Sequence, residues 1–396
     1  MRKHTILFLA IFFFMFLAKG VSAQLSPTLS DSSRISLLTC SPGDELYSVF
    51  GHSAVRVTDP ANNIDVVFNY GTFDFSDPNF YTNFVKGRLN YILSLSYYNR
   101  FKVEYDMEER WIFEQQLQID LPQRQFLFDS LLTNYQPENR YYLYDFFFDN
   151  CATRIRDIFV ESFPEKVKFD YSALEQNKTF RQLLQPYLVE KPWERFGIDL
   201  ALGVLADRTA EPWDYMFLPD HMLTVFKHAS FDSDSITQPF TAEVETLLEG
   251  KVRNEKKAFD QPLFLFIILL AVGMGLTYFD YRRRKLSRWF DITILLFTGI
   301  LGVVIVFLWF FTDHSVTPWN MNILWANPLY IIAIPLLFVK KMARIATWYF
   351  MGNSILLVLV VATWFINPQH LPVAAFPIAL LLAIRFGVVF LLTRRS

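Results

Sequence analysis

The chain has 396 residues, of which 52 % are hydrophobic, 17 % are aromatic and only 19 % are charged, and its formal net charge is −2. An average soluble protein has about 25 % charged residues, so this composition excludes an ordinary soluble enzyme. Proteins that bind nucleic acid carry a basic surface, and the slightly negative charge therefore argues against such a partner. The 2 cysteines exclude a disulfide-rich scaffold and a cysteine-based zinc site, and we expect neither a metal nor a cofactor.

The charge is unevenly distributed along the chain. From Leu263 to Ser396 there are eleven Lys or Arg, three Asp and no Glu, which gives this part a charge of +8 and leaves −10 for residues 1–262. An acidic first part followed by a cationic, apolar second part indicates two regions that belong to different environments.

The N-terminus carries an export signal. An apolar run at 6–17 follows Arg2 and Lys3 and leads to small residues at 21–23. This pattern predicts a secretory signal peptide over residues 1–23. An uncleaved anchor is the alternative, and it leaves the orientation unchanged because positive charges before the run still send the following residues across the membrane.

Residues 24–258 form a region long enough for one good-sized domain. Residues 47–57 and 65–70 predict a β-hairpin, because turn-forming residues separate two β-rich runs. Beyond the hairpin, apolar residues at helical spacing predict a series of helices. These helices are expected at 108–119, 123–135, 151–163, 172–186 and 240–252. Early strands and later helices indicate an α+β domain.

The candidate nucleophile in this domain is the thiol of Cys151. Asp149 or Asn150 is suited to cap the N-terminus of the helix that follows, so Cys151 falls in its first turn. The unpaired N–H groups and the positive end of the helix dipole favour the thiolate, which is the reactive form. Asn150, adjacent to the thiol, is a candidate substrate-binding residue.

A cysteine nucleophile needs a base, and His52 is the histidine that falls within a predicted strand. A thiol at a helix start facing an imidazole on a strand is the papain-type arrangement, which is defined by geometry and not by sequence order. Depending on the register of the hairpin, Asn69 or Tyr70 lies opposite His52 and orients its ring. We favour Asn69 for that role and keep Tyr70 as a candidate substrate-binding residue.

A structural role for the same residues stays open. A buried cysteine at a helix start and a single histidine in a strand are commonly structural. Cys40 and Cys151 are the 2 cysteines of the chain, and both are expected to reach an oxidising compartment. A disulfide between them is therefore an alternative to catalysis.

Five apolar stretches, each about long enough to cross a hydrocarbon core of roughly 30 Å, follow the first domain. They are 263–281, 290–311, 321–339, 346–366 and 371–393. The third is interrupted by Asn322, Asn327 and Pro328, and part of it is open to a re-entrant or interfacial placement. Lys and Arg cluster after the first, third and fifth stretches, so the positive-inside rule places the first domain outside and the C-terminus in the cytoplasm.

Arg385 lies inside the fifth stretch, where a charge costs roughly 2.5 to 3.5 kcal/mol on insertion scales. Two roles are open for it. In the first, Arg385 is a third candidate substrate-binding residue, which binds a phospholipid phosphate. In the second, it extends its guanidinium toward the cytoplasmic surface.

The residues described so far resemble those of a known family. A histidine on a strand, followed about a hundred residues later by an Asn-Cys pair at a helix start, resembles the circularly permuted papain-like thiol enzymes, which include lecithin:retinol acyltransferase. The first region is similar to the periplasmic domain of the Lnb-type bacterial lipoprotein N-acyltransferases, and the five apolar stretches are similar to the membrane domain of that family. The similarity lies in the segments 36–43, 50–52, 68–73 and 149–151.

The resemblance implies a permuted papain-like α+β domain over 24–258 and an all-α, five-helix transmembrane bundle over 259–396. It implies an inner-membrane protein whose periplasmic domain takes an acyl chain from a membrane phospholipid and transfers it to the α-amino group of the lipidated N-terminal cysteine of a lipoprotein. Cys151 corresponds to the nucleophile of the family and His52 to the base. Asn69 as the third member rests on the hairpin and not on the resemblance.

Two other functions remain open at this point. The first keeps the same site in a membrane-anchored cell-wall peptidase or amidase, although the apolar stretches weigh against it. The second is a non-catalytic envelope assembly factor with a disulfide between Cys40 and Cys151.

Overall fold

The computed structural model describes residues 27–233, 236–251 and 259–394 of the chain. The predicted signal peptide over 1–23 and the predicted domain boundary at residue 258 lie outside these residues. Within them, an α+β domain precedes a helical domain that contains four apolar helices of membrane-spanning length. The predicted class, an α+β domain followed by an all-α membrane region, is confirmed.

The α+β domain is built on a seven-stranded antiparallel sheet. In chain order its strands are β1 (Arg34–Cys40), β2 (His52–Asp59), β3 (Ile64–Phe73), β4 (Asn90–Tyr97), β5 (Ile112–Gln116), β6 (Tyr141–Leu143) and β10 (Glu245–Leu248). A second, small sheet contains β7 (Val167–Lys168), β8 (Ser230–Ser233) and β9 (Ile236–Pro239). Across the large sheet the order is β10-β5-β1-β2-β3-β4-β6, so β1, β2 and β3 have neighbours on both sides.

Among the described residues of this domain, seven α-helices accompany the sheets. They are α1 (Phe80–Lys86), α2 (Tyr98–Met107), α3 (Leu121–Tyr135), α4 (Cys151–Ser162), α5 (Phe180–Leu184), α6 (Pro192–Ala201) and α7 (Pro219–Lys227). The main core lies between one face of the large sheet and the helices α3, α4 and α7. The opposite face is covered by α2, whose Tyr98, Phe101 and Tyr105 pack on the strands.

The predicted hairpin is confirmed as β2 and β3, joined by a single 3-10 turn at Pro60–Asn62. The helices predicted at 123–135 and 151–163 are confirmed as α3 and α4. Of the predicted helix at 172–186, only the α5 segment and the start of a following 3-10 turn are helical.

The helices predicted at 108–119 and 240–252 are wrong, because these segments contain β5 and β10. In β5, Ile112 and Gln115 are buried and the residues between them are partly exposed, a three-residue spacing that also fits one turn of a helix. Such short runs satisfy both periodicities. Pairing of β5 with β1 and β10 decides between them, and this pairing is a long-range property of the chain.

The helical domain contains α8 (Gln261–Arg283), α9 (Arg288–Phe310), α10 (Leu329–Ala333), α11 (Ala343–Ala362) and α12 (Phe376–Thr393). Four of these, α8, α9, α11 and α12, are long and apolar enough to cross a membrane, α12 together with the short turn that precedes it. They correspond to the first, second, fourth and fifth predicted stretches.

The predicted third stretch is not one continuous helix. Over Met321–Leu337 the chain forms α10 between two 3-10 turns. Pro328 and Pro335 interrupt it because proline lacks the N–H that a helix needs. The irregular backbone packs closely on α9 at Gly302, where a Cβ would lie only 2.5 Å from the carbonyl oxygen of Ala326. Broken backbone of this kind is tolerated at membrane depth where protein surrounds it.

Arg385 has neither of the roles predicted from the sequence. Its guanidinium is fully buried between α8, α9 and α12, where it forms ion pairs with Asp280 (2.6 Å) and Asp291 (2.5 Å). The Thr277 hydroxyl lies 3.4 Å from the same guanidinium. A cation that is enclosed by two carboxylates can neither reach the surface nor bind a lipid phosphate. Arg385 therefore joins three helices within the bundle.

The α+β domain is attached to the helical domain at the C-terminus of α6. The last carbonyl groups of a helix have no partner within it, and here side-chain amides from two loops of the helical domain bind them. Asn320 donates to the Leu200 carbonyl (2.8 Å), as does Asn322 (3.3 Å), and Gln369 donates to the carbonyl of Leu202 just beyond the helix (3.0 Å). These three amides are buried, so their hydrogen bonds fix the position of one domain on the other.

We expect Arg385→Met to destabilise the protein by about 3 to 5 kcal/mol, because it leaves two carboxylates buried without a cation. The measurement is thermal unfolding of the full chain in detergent. Arg394→Met, at the exposed end of α12, is the matched control and should unfold like the wild type. A further exchange of Asp280 and Asp291 to Asn in the Arg385→Met protein should restore part of the loss. Equal stability of the two single variants would contradict the assigned role.

Candidate active site

Cys151 is the first residue of α4, and Asn150 caps that helix. The Asn150 side-chain oxygen accepts hydrogen bonds from the backbone N–H groups of Ala152 (2.8 Å) and Thr153 (3.0 Å), and the Thr153 hydroxyl accepts from the Asn150 N–H (2.7 Å). The Asn150 amide nitrogen donates to the carbonyl of Phe217 (2.9 Å). The polar atoms of the Asn150 side chain are thus all used to hold the first turn of α4, which argues against the predicted substrate-binding role of Asn150.

The strand β3 passes beside the thiol at Gly71. The pairing of β3 with β4 shifts by one residue between Asn69 and Thr72, and Gly71 has a φ of 84° within this bulge. A Cβ at Gly71 would lie 3.5 Å from the Cβ of Cys151. Glycine is suited to this position because it adopts a positive φ without strain. The bulge thus brings the backbone of β3 against the first turn of α4.

His52, Asn69 and Cys151 meet at this place. His52 is the first residue of β2, and its Nε2 lies 2.5 Å from Oδ1 of Asn69. The imidazole also interacts with the Cys151 thiol through charge and a hydrogen bond. Nε2–H donates to Asn69, because an amide oxygen can only accept. The structure therefore brings the three residues of the predicted catalytic group into one hydrogen-bonded series, with Asn69 and not Tyr70 on the ring.

The electrostatics favour a thiolate and imidazolium pair. Burial alone would raise the pKa of Cys151, but the charge and hydrogen bond of His52, together with backbone N–H groups of Ser53 and Ala152, lower this pKa overall. Burial alone would lower the pKa of His52, but Cys151 and the hydrogen bond to Asn69 raise it overall. Each partner stabilises the charged form of the other, and the thiolate is the nucleophilic form of cysteine.

Tyr70 points away from this group. Its side chain is buried in the main core, and its hydroxyl accepts a hydrogen bond from the Asn134 amide (2.9 Å). Successive residues of a strand face opposite sides of the sheet, so Asn69 and Tyr70 cannot both reach His52. The buried ring and the bound hydroxyl argue against the predicted substrate-binding role of Tyr70.

The predicted alternative of a disulfide is also wrong, because Cys40 and Cys151 are both free thiols. Cys40 lies opposite His52 in the pairing of β1 with β2. Burial raises the pKa of Cys40 to about 12, and the nearby Arg110 and Tyr105 offset this only in part. The two thiols therefore have opposite chemistry, since Cys40 stays protonated and inert at neutral pH.

Tyr142 on β6 is a polar group at the site that the sequence did not single out. Its hydroxyl lies 3.8 Å from the position that a Cβ at Gly71 would take, close to Cys151. The residue is only 7 % exposed, and its hydroxyl has no hydrogen-bond partner among the described residues. Burial raises the pKa of Tyr142 well above its usual value, so the hydroxyl keeps its proton and is a free donor. Only the tertiary contact between β6 and β3 reveals it.

The arrangement groups a cysteine, a histidine and an asparagine in a domain that is attached to a bundle of apolar helices. Among the residues that the structure describes, no three His, Cys, Asp or Glu side chains are grouped as metal ligands.

Two comparisons with protein families identify the chain. Residues 26–185 match the model of the Lnb N-terminal periplasmic domain, and residues 254–396 match the model of the Lnb transmembrane domain. The chain belongs to the Lnb family, and it is a multi-pass inner-membrane protein with a periplasmic N-terminal domain. Searches among curated proteins and among solved structures gave no match.

We expect the pH dependence of thiol alkylation to report the paired charges. In the folded full chain, iodoacetamide should modify Cys151 at a pH below the ordinary thiol pKa of about 8.5, while Cys40 stays unmodified. Asn69→Ala removes a hydrogen bond that stabilises the imidazolium, so the pKa of Cys151 should rise and its alkylation profile should move to higher pH. Peptide mass spectrometry distinguishes the two thiols.

The control for this measurement is Asn134→Ala, which removes a hydrogen bond from Tyr70 and should leave the profile unchanged. Faster modification of Cys40 than of Cys151, or identical profiles for Asn69→Ala and the wild type, would rule out the charge pair.

Proposed function

We propose that this protein transfers an acyl chain from a membrane phospholipid, through a thioester on Cys151, to the α-amino group of the lipidated N-terminal cysteine of bacterial lipoproteins. The observation that carries the proposal is the hydrogen-bonded series of Cys151, His52 and Asn69 in a domain fixed on a membrane bundle. Membership of the Lnb family agrees with an acyltransferase.

In the first half-reaction, the Cys151 thiolate attacks the carbonyl carbon of a phospholipid ester. The C–S bond forms, the C–O bond breaks, and the His52 imidazolium donates its proton to the departing lysophospholipid oxygen. In the second half-reaction, the lipoprotein amine attacks the thioester and loses a proton to His52, and Cys151 leaves as the thiolate. A covalent intermediate divides one difficult transfer into two easier steps.

Each half-reaction passes through an oxyanion, which needs hydrogen-bond donors aimed at it. The first turn of α4 supplies the backbone N–H of Cys151 at the positive end of the helix dipole. We assign the second donor to the Tyr142 hydroxyl, which is protonated, buried and without a partner in the described residues. A free donor near the thiol is ready to bind the oxyanion without first breaking another hydrogen bond.

The position of the helix ends supports a cytoplasmic C-terminus. The start of α8 is bound to the α+β domain by the Asp260 ion pair with Arg195, and the loops after α9 and α11 contact the same domain through Asn320 and Gln369. The broken segment must then cross the bundle between Asn320 and the start of α11. Such a crossing supports five passes, with the end of α12 on the side away from the α+β domain.

A cell-wall peptidase or amidase has no comparable support. Such an enzyme needs no bundle beneath its thiol, whereas both substrates of the proposed transfer are held in the membrane. The attachment of the α+β domain through buried amides therefore favours the acyl transfer.

We expect Cys151→Ser to convert the lipoproteins of a cell that has this protein as its only such enzyme from triacylated to diacylated forms. The reason is that serine replaces the thiol by a hydroxyl, which is not ionised at neutral pH and is a much weaker nucleophile than the thiolate. Mass spectrometry of N-terminal lipopeptides measures the change, and a phospholipid-derived thioester on Cys151 should be detectable in the wild type. The other cysteine gives the matched control, since Cys40→Ala should retain triacylation. Triacylation by Cys151→Ser would disprove the proposal.

We expect Tyr142→Phe to lower kcat for acyl transfer by about 10²-fold, the effect of losing one oxyanion donor. The rate of Cys151 alkylation by iodoacetamide should stay unchanged, because alkylation forms no oxyanion. Tyr70→Phe is the control, since its hydroxyl is bound to Asn134 in the core. A loss of alkylation in parallel with transfer would show that Tyr142 is structural.

A further inference from the structure

The segment between β3 and β4 presents large apolar side chains to the solvent. Phe75 and Tyr81 are 74 % and 81 % exposed, and Phe84 and Val85 are about half exposed. The ring of Phe80 contacts those of Phe75 (4.8 Å), Tyr81 (5.3 Å) and Phe84 (6.4 Å), so the group is continuous. Contiguous apolar surfaces of this kind are uncommon on soluble domains and mark a site of interaction. We call these five residues the aromatic platform: Phe75, Phe80, Tyr81, Phe84 and Val85.

The aromatic platform is attached to the outer end of the membrane bundle. The backbone N–H of Asp313, just after α9, donates to the carbonyl of Lys86 (2.8 Å), and the Asp313 carboxylate binds Arg88 through two oxygens (2.6 and 3.1 Å). The His314 Nε2 lies 3.2 Å from the carbonyl oxygen of Val85. The platform is thus held at the level where α9 leaves the membrane.

The platform continues a surface that already belongs to the membrane. Phe310 and Phe311 at the end of α9 are largely exposed and lie within three residues of Asp313, which binds the platform segment. Tyrosine is enriched at this depth of a bilayer because its ring is apolar and its hydroxyl reaches water, and phenylalanine occurs on the apolar face of segments that lie in the interface. This continuity with the spanning helices points to lipid and not to a second protein as the occupant.

A series of aromatic rings leads from the platform to the thiol. Phe73 contacts three platform rings at 5.7 to 6.5 Å and Tyr91 at 4.9 Å. Tyr91 stacks on Tyr144 at 4.2 Å. The Tyr144 ring and the Cβ of Cys151 both lie within 4 Å of the position that a Cβ at Gly71 would take. The path from the bilayer to Cys151 is therefore lined by rings.

We propose that the aromatic platform inserts into the periplasmic leaflet and that the rings of Phe73, Tyr91 and Tyr144 guide a phospholipid acyl ester from that leaflet to Cys151. The insertion of the platform into the leaflet follows from the location of the platform alone. The delivery of the phospholipid ester to Cys151 also rests on the proposed acyl transfer. The physical reason for such a path is that an acyl chain loses favourable free energy for every methylene it exposes to water on its way out of the bilayer. Apolar rings shield the chain during this transfer.

The first experiment measures insertion without activity. Phe75→Cys in a Cys40→Ala and Cys151→Ser background is labelled with a fluorescent maleimide, and the full chain is reconstituted in vesicles of phosphatidylcholine with brominated acyl chains. We expect strong quenching at residue 75. The control is Phe126→Cys, also exposed (56 %) but at the far end of the sheet.

The placement of Phe126 follows from its neighbour. Gln125, which precedes Phe126, accepts a hydrogen bond from the backbone N–H of Leu29 (2.7 Å). Ser30, which follows Leu29, donates its backbone N–H to Asp59 (2.7 Å). Asp59 is the last residue of β2 and His52 is the first, so Phe126 lies near the end of the sheet that is far from His52. Quenching at residue 75 that is no stronger than at residue 126 would overturn the insertion of the platform.

The second experiment measures delivery. The triple variant Phe75→Ser, Tyr81→Ser and Phe84→Ser should lower thioester formation from vesicle phospholipid by roughly tenfold or more, because three apolar contacts with the bilayer are lost. Thioester formation from dihexanoyl phosphatidylcholine, which dissolves as single molecules, should stay unchanged. Phe126→Ser is the control for both donors, and the rate of Cys151 alkylation shows that the variant is folded.

The outcomes separate the two proposals. An equal loss with both donors would overturn delivery by the platform. If the triple variant formed the thioester at the normal rate but transferred the acyl chain slowly to a lipopeptide amine, the platform would act on the acceptor. That result would overturn its role in delivering the phospholipid donor. If the wild type itself formed no thioester from either donor, the proposed function would fail, while the quenching result would still decide whether the platform lies in the membrane.

Discussion

The attachment of α6 to the membrane bundle is the constraint on which the rest of this molecule depends. A helix ends with carbonyl groups that need partners, and here Asn320, Asn322 and Gln369 supply them from the loops of the helical domain. An exposed linker would let the thiol move freely above the bilayer. Buried hydrogen bonds hold the thiol at one height and one orientation relative to the membrane bundle.

Within the α+β domain, two opposing effects act on the thiol. Burial disfavours the thiolate, whereas His52, two backbone N–H groups and the start of α4 favour it, and the net result is a lowered pKa for Cys151. The same burial without such partners leaves Cys40 protonated, with a pKa of about 12. The opposite pKa shifts of the two thiols therefore come from their partners, since both sulfurs are buried. In the acyl transfer proposed above, an enclosed site would also keep water from the thioester.

Buried polar groups in the membrane bundle also have partners. Arg385 would be costly in a hydrocarbon core if it were alone, but Asp280 and Asp291 surround it and join α8, α9 and α12. Charges inside membrane segments usually face the protein interior and pair with one another. The broken third segment is tolerated for a related reason, because Gly302 lets α9 approach its irregular backbone closely.

The sequence alone determined those features that depend on neighbouring residues. The capped start of α4, the β2–β3 hairpin and the apolar stretches all come from local spacing, and they were enough to select Cys151 and His52. The tertiary structure decided what depends on contacts between distant segments. The pairing of β2 with β3, in which Val55 lies opposite Phe68, put Asn69 on the same face as His52 and left Tyr70 in the core. Strand pairing turned the predicted helices at 108–119 and 240–252 into β5 and β10, and the packing of three helices enclosed Arg385. Local periodicity carries no information about which distant residue completes a hydrogen bond, an ion pair or a sheet.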